Sequence, residues 1–106
     1  MPPINPREQQ QVLARLGERF RRLRLVRNIS QEALAENSGV GLSTLKRFES
    51  GRGCNLAALV QLLAALGHLG ELESFFAQLA ERGEGTILAD GDTRRRASSP
   101  RKYNSS

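Results

Sequence analysis

The feature that most limits what this chain can fold into is the run of small residues and caps in 30–52, S-Q-E-A-L-A-E-N-S-G-V-G-L-S-T-L-K-R-F-E-S-G-R. Ser30 is a good N-cap, because its hydroxyl can accept from an N–H one turn in, and the following segment carries Leu34 and Ala35 for burial. Gly39 can take the left-handed conformation that closes a helix without a Cβ penalty, so Gly39-Val40-Gly41 reads as a turn. The next segment, 42–50, sets Leu45 and Phe48 inward three residues apart and leaves Ser43, Thr44, Lys46 and Arg47 for the outer faces before Gly51 stops it. Two short helices joined by a tight turn are expected. Ala35 is small because the two helices cross closely there, and Gly39 permits a near-perpendicular crossing.

The remainder supports this pair. Asn5 caps a helix whose first turn holds Pro6 and Glu8, and Leu13, Leu16, Phe20 and Leu23 make an apolar stripe to about residue 26. Arg15, Arg19, Arg21, Arg22, Arg24 and Arg27 outnumber Glu18 on its other faces, which suits phosphate contact or plain solvation better than a membrane surface, since the stripe is needed for the core. After the loop Arg52-Gly53-Cys54-Asn55, Asn55 can cap a fourth helix over 56–66 that turns Leu56, Leu59, Leu62, Leu63 and Leu66 inward. Residues 67–70 break it. A fifth helix over 71–82 carries Leu72, Phe75, Phe76 and Leu79, and Gly83 is expected to end it. Neighbours on a helix point about 100° apart, so Phe75 and Phe76 cannot share one narrow stripe. Either Phe75, Phe76 and Leu79 form a homodimer or partner contact, or a wide face is buried against the first and fourth helices.

From residue 84 the composition shifts to Gly, Asp, Ser and charge. The chain therefore divides into a folded domain over 1–83 and a flexible basic tail over 84–106, mostly disordered when free. Within it, 86–89 is apolar enough for a short strand, a docking stub or a patch against the fifth helix, and Arg94, Arg95, Arg96, Arg101 and Lys102 form a basic arm.

A net charge of +5 and a pI near 10.6 favour a polyanionic partner. The single cysteine, Cys54, allows no intrachain disulfide and no multi-cysteine metal site. His68 has no nucleophile or paired carboxylate placed beside it by sequence, and no glycine loop matches a phosphate cradle, so an enzyme, a cofactor and a metal are not expected. The longest leucine-rich run, 56–66, is too short to span a bilayer and no targeting segment is visible, so the expectation is a cytoplasmic protein with no membrane partner.

Gln31, Ala35, Gly39, Val40, Leu45, Glu49 and Gly51 resemble, in type and spacing, the helix-turn-helix of the phage-repressor or Xre family, and the resemblance covers about 13–79. It implies an all-α, compact five-helix repressor-like domain whose second motif helix enters the DNA major groove. Carried over by position, Leu42, Ser43, Lys46 and Arg47 would read bases, Arg47 a guanine and Leu42 a thymine methyl. Ser30, Gln31, Thr44, Ser50 and Arg52 would hold the DNA backbone. Arg24 would pair with Glu49, a guanidinium matching a carboxylate bidentately. The implied function is a sequence-specific transcriptional regulator, a repressor, acting as a homodimer on double-stranded DNA with half-sites about 34 Å apart. A second resemblance rests on the tail: Arg94-Arg95-Arg96-Ala97-Ser98 after such a domain is similar to HipB-type regulators. This gives the alternative of an antitoxin that binds a kinase-fold toxin and represses its own operon.

Overall fold

Each helix begins where a side chain can satisfy its first N–H groups or where a glycine lets the chain turn. The computed structural model describes residues 2–90 and contains, among them, five helices and no strand: α1 (Pro6–Val26), α2 (Gln31–Ser38), α3 (Leu42–Glu49), α4 (Leu56–Ala65) and α5 (Leu69–Asp90). Asn5 Oδ1 accepts from the Glu8 N–H at 2.7 Å, Ser30 Oγ from that of Ala33 at 3.0 Å, and Asn55 Oδ1 from that of Ala58 at 2.7 Å. The described residues are all-α, as the periodicity of the sequence requires.

Contacts divide the chain into two units, one ending at Leu69 and one beginning at Gly70, inside the stretch drawn as a single domain over 1–83. The first unit holds α1 to α4, with α1 packed on α3 and α2 packed on both α3 and α4. Its core is Phe20, Leu34, Ala35, Val40, Leu45, Phe48, Ala58, Leu62 and Leu66. Leu34, Leu45 and Leu62 have no exposed surface, and burying each contributes about 1.5 to 3 kcal/mol before conformational entropy is counted. Gly39 sits at φ 76°, ψ 9° and its N–H donates to the Ala35 carbonyl, so the turn between α2 and α3 is the left-handed cap its sequence announces. Ser38 adds a second tie, accepting from the Val40 N–H at 3.2 Å.

Two expected stripes are displaced. In α1 the buried positions are Gly17, Phe20 and Arg24, whereas Leu16 and Leu23 are 48 % and 38 % exposed. The side of α1 nearest α3 is a line of close approach that admits a glycine and a paired arginine, and the two leucines flank it. They border an open apolar cavity of about 310 Å³ with Phe20, Phe48, Leu59 and Leu63. In α4, Leu56 is 65 % exposed while Ala58 and Leu62 are buried, as is Leu66 just past its end. That helix is apolar on nearly every side, so leucine spacing alone does not locate the centre of its buried face.

The second unit contains all of α5 but its first residue, Leu69. The helix starts at Leu69, so the break after α4 is confined to 66–68, and it passes through Gly83 to Asp90. The expected stop at Gly83 is therefore corrected, and 86–89 is helix rather than strand. A glycine inside a helix costs only about 1 kcal/mol against alanine. It terminates a helix when it turns left-handed, and Gly83 is not among the glycines of positive φ. Along this helix Phe75, Phe76 and Leu79 are all exposed, and the two rings stand edge to face with centroids 5.7 Å apart. The basic arm of Arg94, Arg95, Arg96, Arg101 and Lys102 lies outside the described residues.

Candidate nucleic-acid interface

The outer surface of α3 is defined by what the helix buries. Leu45 and Phe48 anchor it in the core, so Ser43, Lys46 and Arg47 are left exposed, and Ser50 follows on the same side at the next turn. Lys46 and Arg47 fall in the last turn, where the helix dipole favours cations. Leu42 is placed differently from these: it is half-buried and packs against the core, so only part of its side chain remains for a ligand. Thr44 is also half-buried and lines a small cavity with Val40, Asn55 and Gln61. Ser50 donates its hydroxyl to the Arg47 carbonyl at 2.9 Å, and exposed Arg52 follows, its backbone N–H bonded to the same carbonyl at 2.9 Å.

Beneath this surface, α3 is fixed by a buried charge pair. Arg24 Nε donates to Glu49 Oε2 at 2.7 Å and Arg24 Nη2 to Glu49 Oε1 at 2.9 Å, a fork-to-fork arrangement. The side chains are only 8 % and 4 % exposed. Arg24 Nη1 donates to the Ile29 carbonyl at 2.9 Å, and Gln31 Nε2 donates to Glu49 Oε1 at 3.0 Å. The hydrogen bonds to Glu49 raise the pKa of the guanidinium further despite its burial, so it stays charged at any working pH. One carboxylate thus joins α1, α2 and α3.

Gln31 therefore spends one of its two amide N–H groups inside the protein, and Ser30 spends its hydroxyl as the cap of α2. Both still stand at the start of α2, where the helix N-terminus favours an anion. The structure gathers Ser43, Lys46, Arg47, Ser50 and Arg52 along and just beyond α3. Phe75, Phe76 and Leu79 belong to the second unit.

Several residues that build this site have no local signature. Gly17 lies where a Cβ would overlap the Phe48 carbonyl oxygen and stand 3.0 Å from that of Glu49, so only glycine lets α1 and α3 approach so closely. Gln10 Nε2 donates to the Gly51 carbonyl at 2.8 Å. Arg27 Nη2 donates to the Leu66 carbonyl at the end of α4, where a cation suits the helix dipole. None of the three is marked by its neighbours in the sequence, because each partner lies on a distant segment.

Other candidates carry less chemistry. Cys54 is half-buried against the core, and burial pushes its thiol pKa up, away from reactivity. Among the described residues no group of three histidine, cysteine or carboxylate side chains could hold a metal. No helix among them is long and apolar enough to cross a membrane.

Two short helices crossing at a left-handed glycine, the second presenting polar and basic side chains from a buried base, make a helix-turn-helix. The helix-turn-helix domain family matches residues 15–75, more than half of the chain, and the chain belongs to that family. No curated protein and no solved structure matches it. Family membership points to a DNA-binding regulator.

Proposed function

We propose that the protein is a sequence-specific transcriptional repressor of the Xre type that reads double-stranded DNA with the outer face of α3. The observation that carries this reading is the exposure of Ser43, Lys46 and Arg47 on a helix whose opposite face is buried and whose last residue, Glu49, is tied to α1 and α2. A helix inserted in the major groove needs both properties, free polar side chains and a fixed axis. Arg47 is the residue for a bidentate guanine contact, with Ser43 and Lys46 beside it and Leu42 contributing what it exposes to a thymine methyl. Ser30, Gln31, Thr44, Ser50 and Arg52 position the duplex through its phosphates. The net charge of +5 supplies the sequence-independent attraction.

A homodimer on a palindrome completes the proposal, with exposed Phe75, Phe76 and Leu79 as its contact. Selection of duplexes from a random-sequence pool by the full chain tests it. The expected product is a two-fold symmetric site with half-site centres about 34 Å apart, or a multiple of that spacing. Enrichment of a single asymmetric half-site would contradict the dimer, and no enrichment would contradict sequence-specific binding.

A further inference from the structure

Along α1, Gln10, Leu13, Ala14, Gly17, Phe20 and Arg24 recur at steps of three and four residues and so share one side of the helix. Every one of them meets α3 or the loop that leaves it. Arg24 holds Glu49; the Phe20 ring lies 5.0 Å from that of Phe48, the planes 53° apart; Gly17 passes under the Phe48 and Glu49 carbonyls. Further toward the N-terminus the same side meets the loop. A Cβ on Gly51 would come within 3.0 Å of Ala14 Cα, and one on Gly53 within 3.3 Å of the Leu13 side chain. Gln10 closes the seam by donating to the Gly51 carbonyl at 2.8 Å.

The family match begins at residue 15, so Gln10, Leu13 and Ala14 lie on turns of α1 that precede it. These turns have a definite target. Gly51 and Gly53 both have positive φ, 92° and 80°, and between them stands exposed Arg52. A peptide flanked by two glycines has much freedom to lose before its side chain can hold a phosphate, and a loop already fixed in the free protein loses less on binding.

We infer that Gln10 is a positioning residue for DNA: by holding the Gly51 carbonyl it sets Arg52 toward a phosphate beyond the recognition helix. The inference rests on the DNA-binding reading. It gives the early turns of α1 a role in the grip on the DNA backbone and none in base choice.

The test uses the full chain and the duplex selected by wild type from the random pool, with affinity measured across salt by fluorescence anisotropy. Gln10→Met keeps the aliphatic stem and removes the donor; Gln10→Ala removes both. Each is expected to weaken binding about threefold to tenfold and to lower the slope of log K against log salt by about one, the signature of one lost phosphate contact. Base preference stays the same. Arg52→Ala is expected to show the same loss, and adding Gln10→Met to Arg52→Ala to have no further effect. Unchanged affinity and slope in Gln10→Met would overturn the inference while leaving the repressor standing, as would equal losses from Gln10→Met with and without Arg52. Failure of wild type to select any duplex would remove the DNA-binding reading and this inference together.

Discussion

Glu49→Ala destabilises the protein by about 3 to 5 kcal/mol, the range seen when one partner of a buried ion pair is removed. The arginine side chain left behind is 8 % exposed and keeps a hydrogen bond only to the Ile29 carbonyl among the contacts that now fix it. Gln31 loses its acceptor in the same step. For a domain whose total stability is of the order of 5 to 15 kcal/mol, that is a large share. Chemical denaturation followed by circular dichroism measures it. The double variant Arg24→Met/Glu49→Leu separates charge from packing: apolar replacement of a whole buried pair is often neutral or stabilising, so it recovers most of the loss. A Glu49→Ala midpoint equal to that of wild type would mean that the guanidinium is hydrated and the pair contributes nothing.

Gly17→Val is the second large effect. Its Cβ overlaps the Phe48 carbonyl oxygen, and the branch adds two methyl groups to a space occupied by the α3 backbone. The helix cannot retreat freely, because Leu45 and Phe48 anchor it in the core. Overpacking of this kind costs about 1 to 3 kcal/mol and occasionally more. Gly17→Ala gives the sharper comparison, since helix propensity alone favours alanine by up to about 1 kcal/mol while the clash opposes it. Gly17→Ala is expected to destabilise. Gly83→Ala, at a helical glycine with no neighbour within 4 Å, is expected to gain stability. Thermal melts of the two variants compare them directly, and stabilisation by Gly17→Ala would contradict the close crossing of α1 and α3.

The sequence made some levels of this structure legible because their causes are local. Caps at Asn5, Ser30 and Asn55, the left-handed turn at Gly39, and the burial of Leu45 and Phe48 each depend on a few adjacent residues, and these fixed α1 to α4 within one residue at their ends. Leu16, Leu23 and Leu56 were misplaced for a different reason. Burial is decided by which side of a helix another helix approaches, and a close approach selects Gly17 over a leucine. The end of α5 was misread at Gly83 because a glycine marks a stop only when its φ is positive. In the site, Arg24 and Glu49 were legible only through family resemblance, being distant in sequence. Gln10 on Gly51 and Gln31 on Glu49 were not, since a glutamine amide shows no preference for either partner until the fold supplies it.

Base reading by α3 is measured most directly by fluorescence anisotropy of the full chain with the DNA upstream of its own gene and with a scrambled duplex, for wild type and Arg47→Ala. Arg47 is exposed on α3 and carries no part of the core, so its replacement leaves the fold in place. Wild type is expected to prefer the upstream duplex and Arg47→Ala to lose about 1 to 3 kcal/mol of that preference, the worth of one bidentate base contact. Equal binding of wild type to both duplexes, or a preference untouched by Arg47→Ala, would contradict base reading by the outer face of α3.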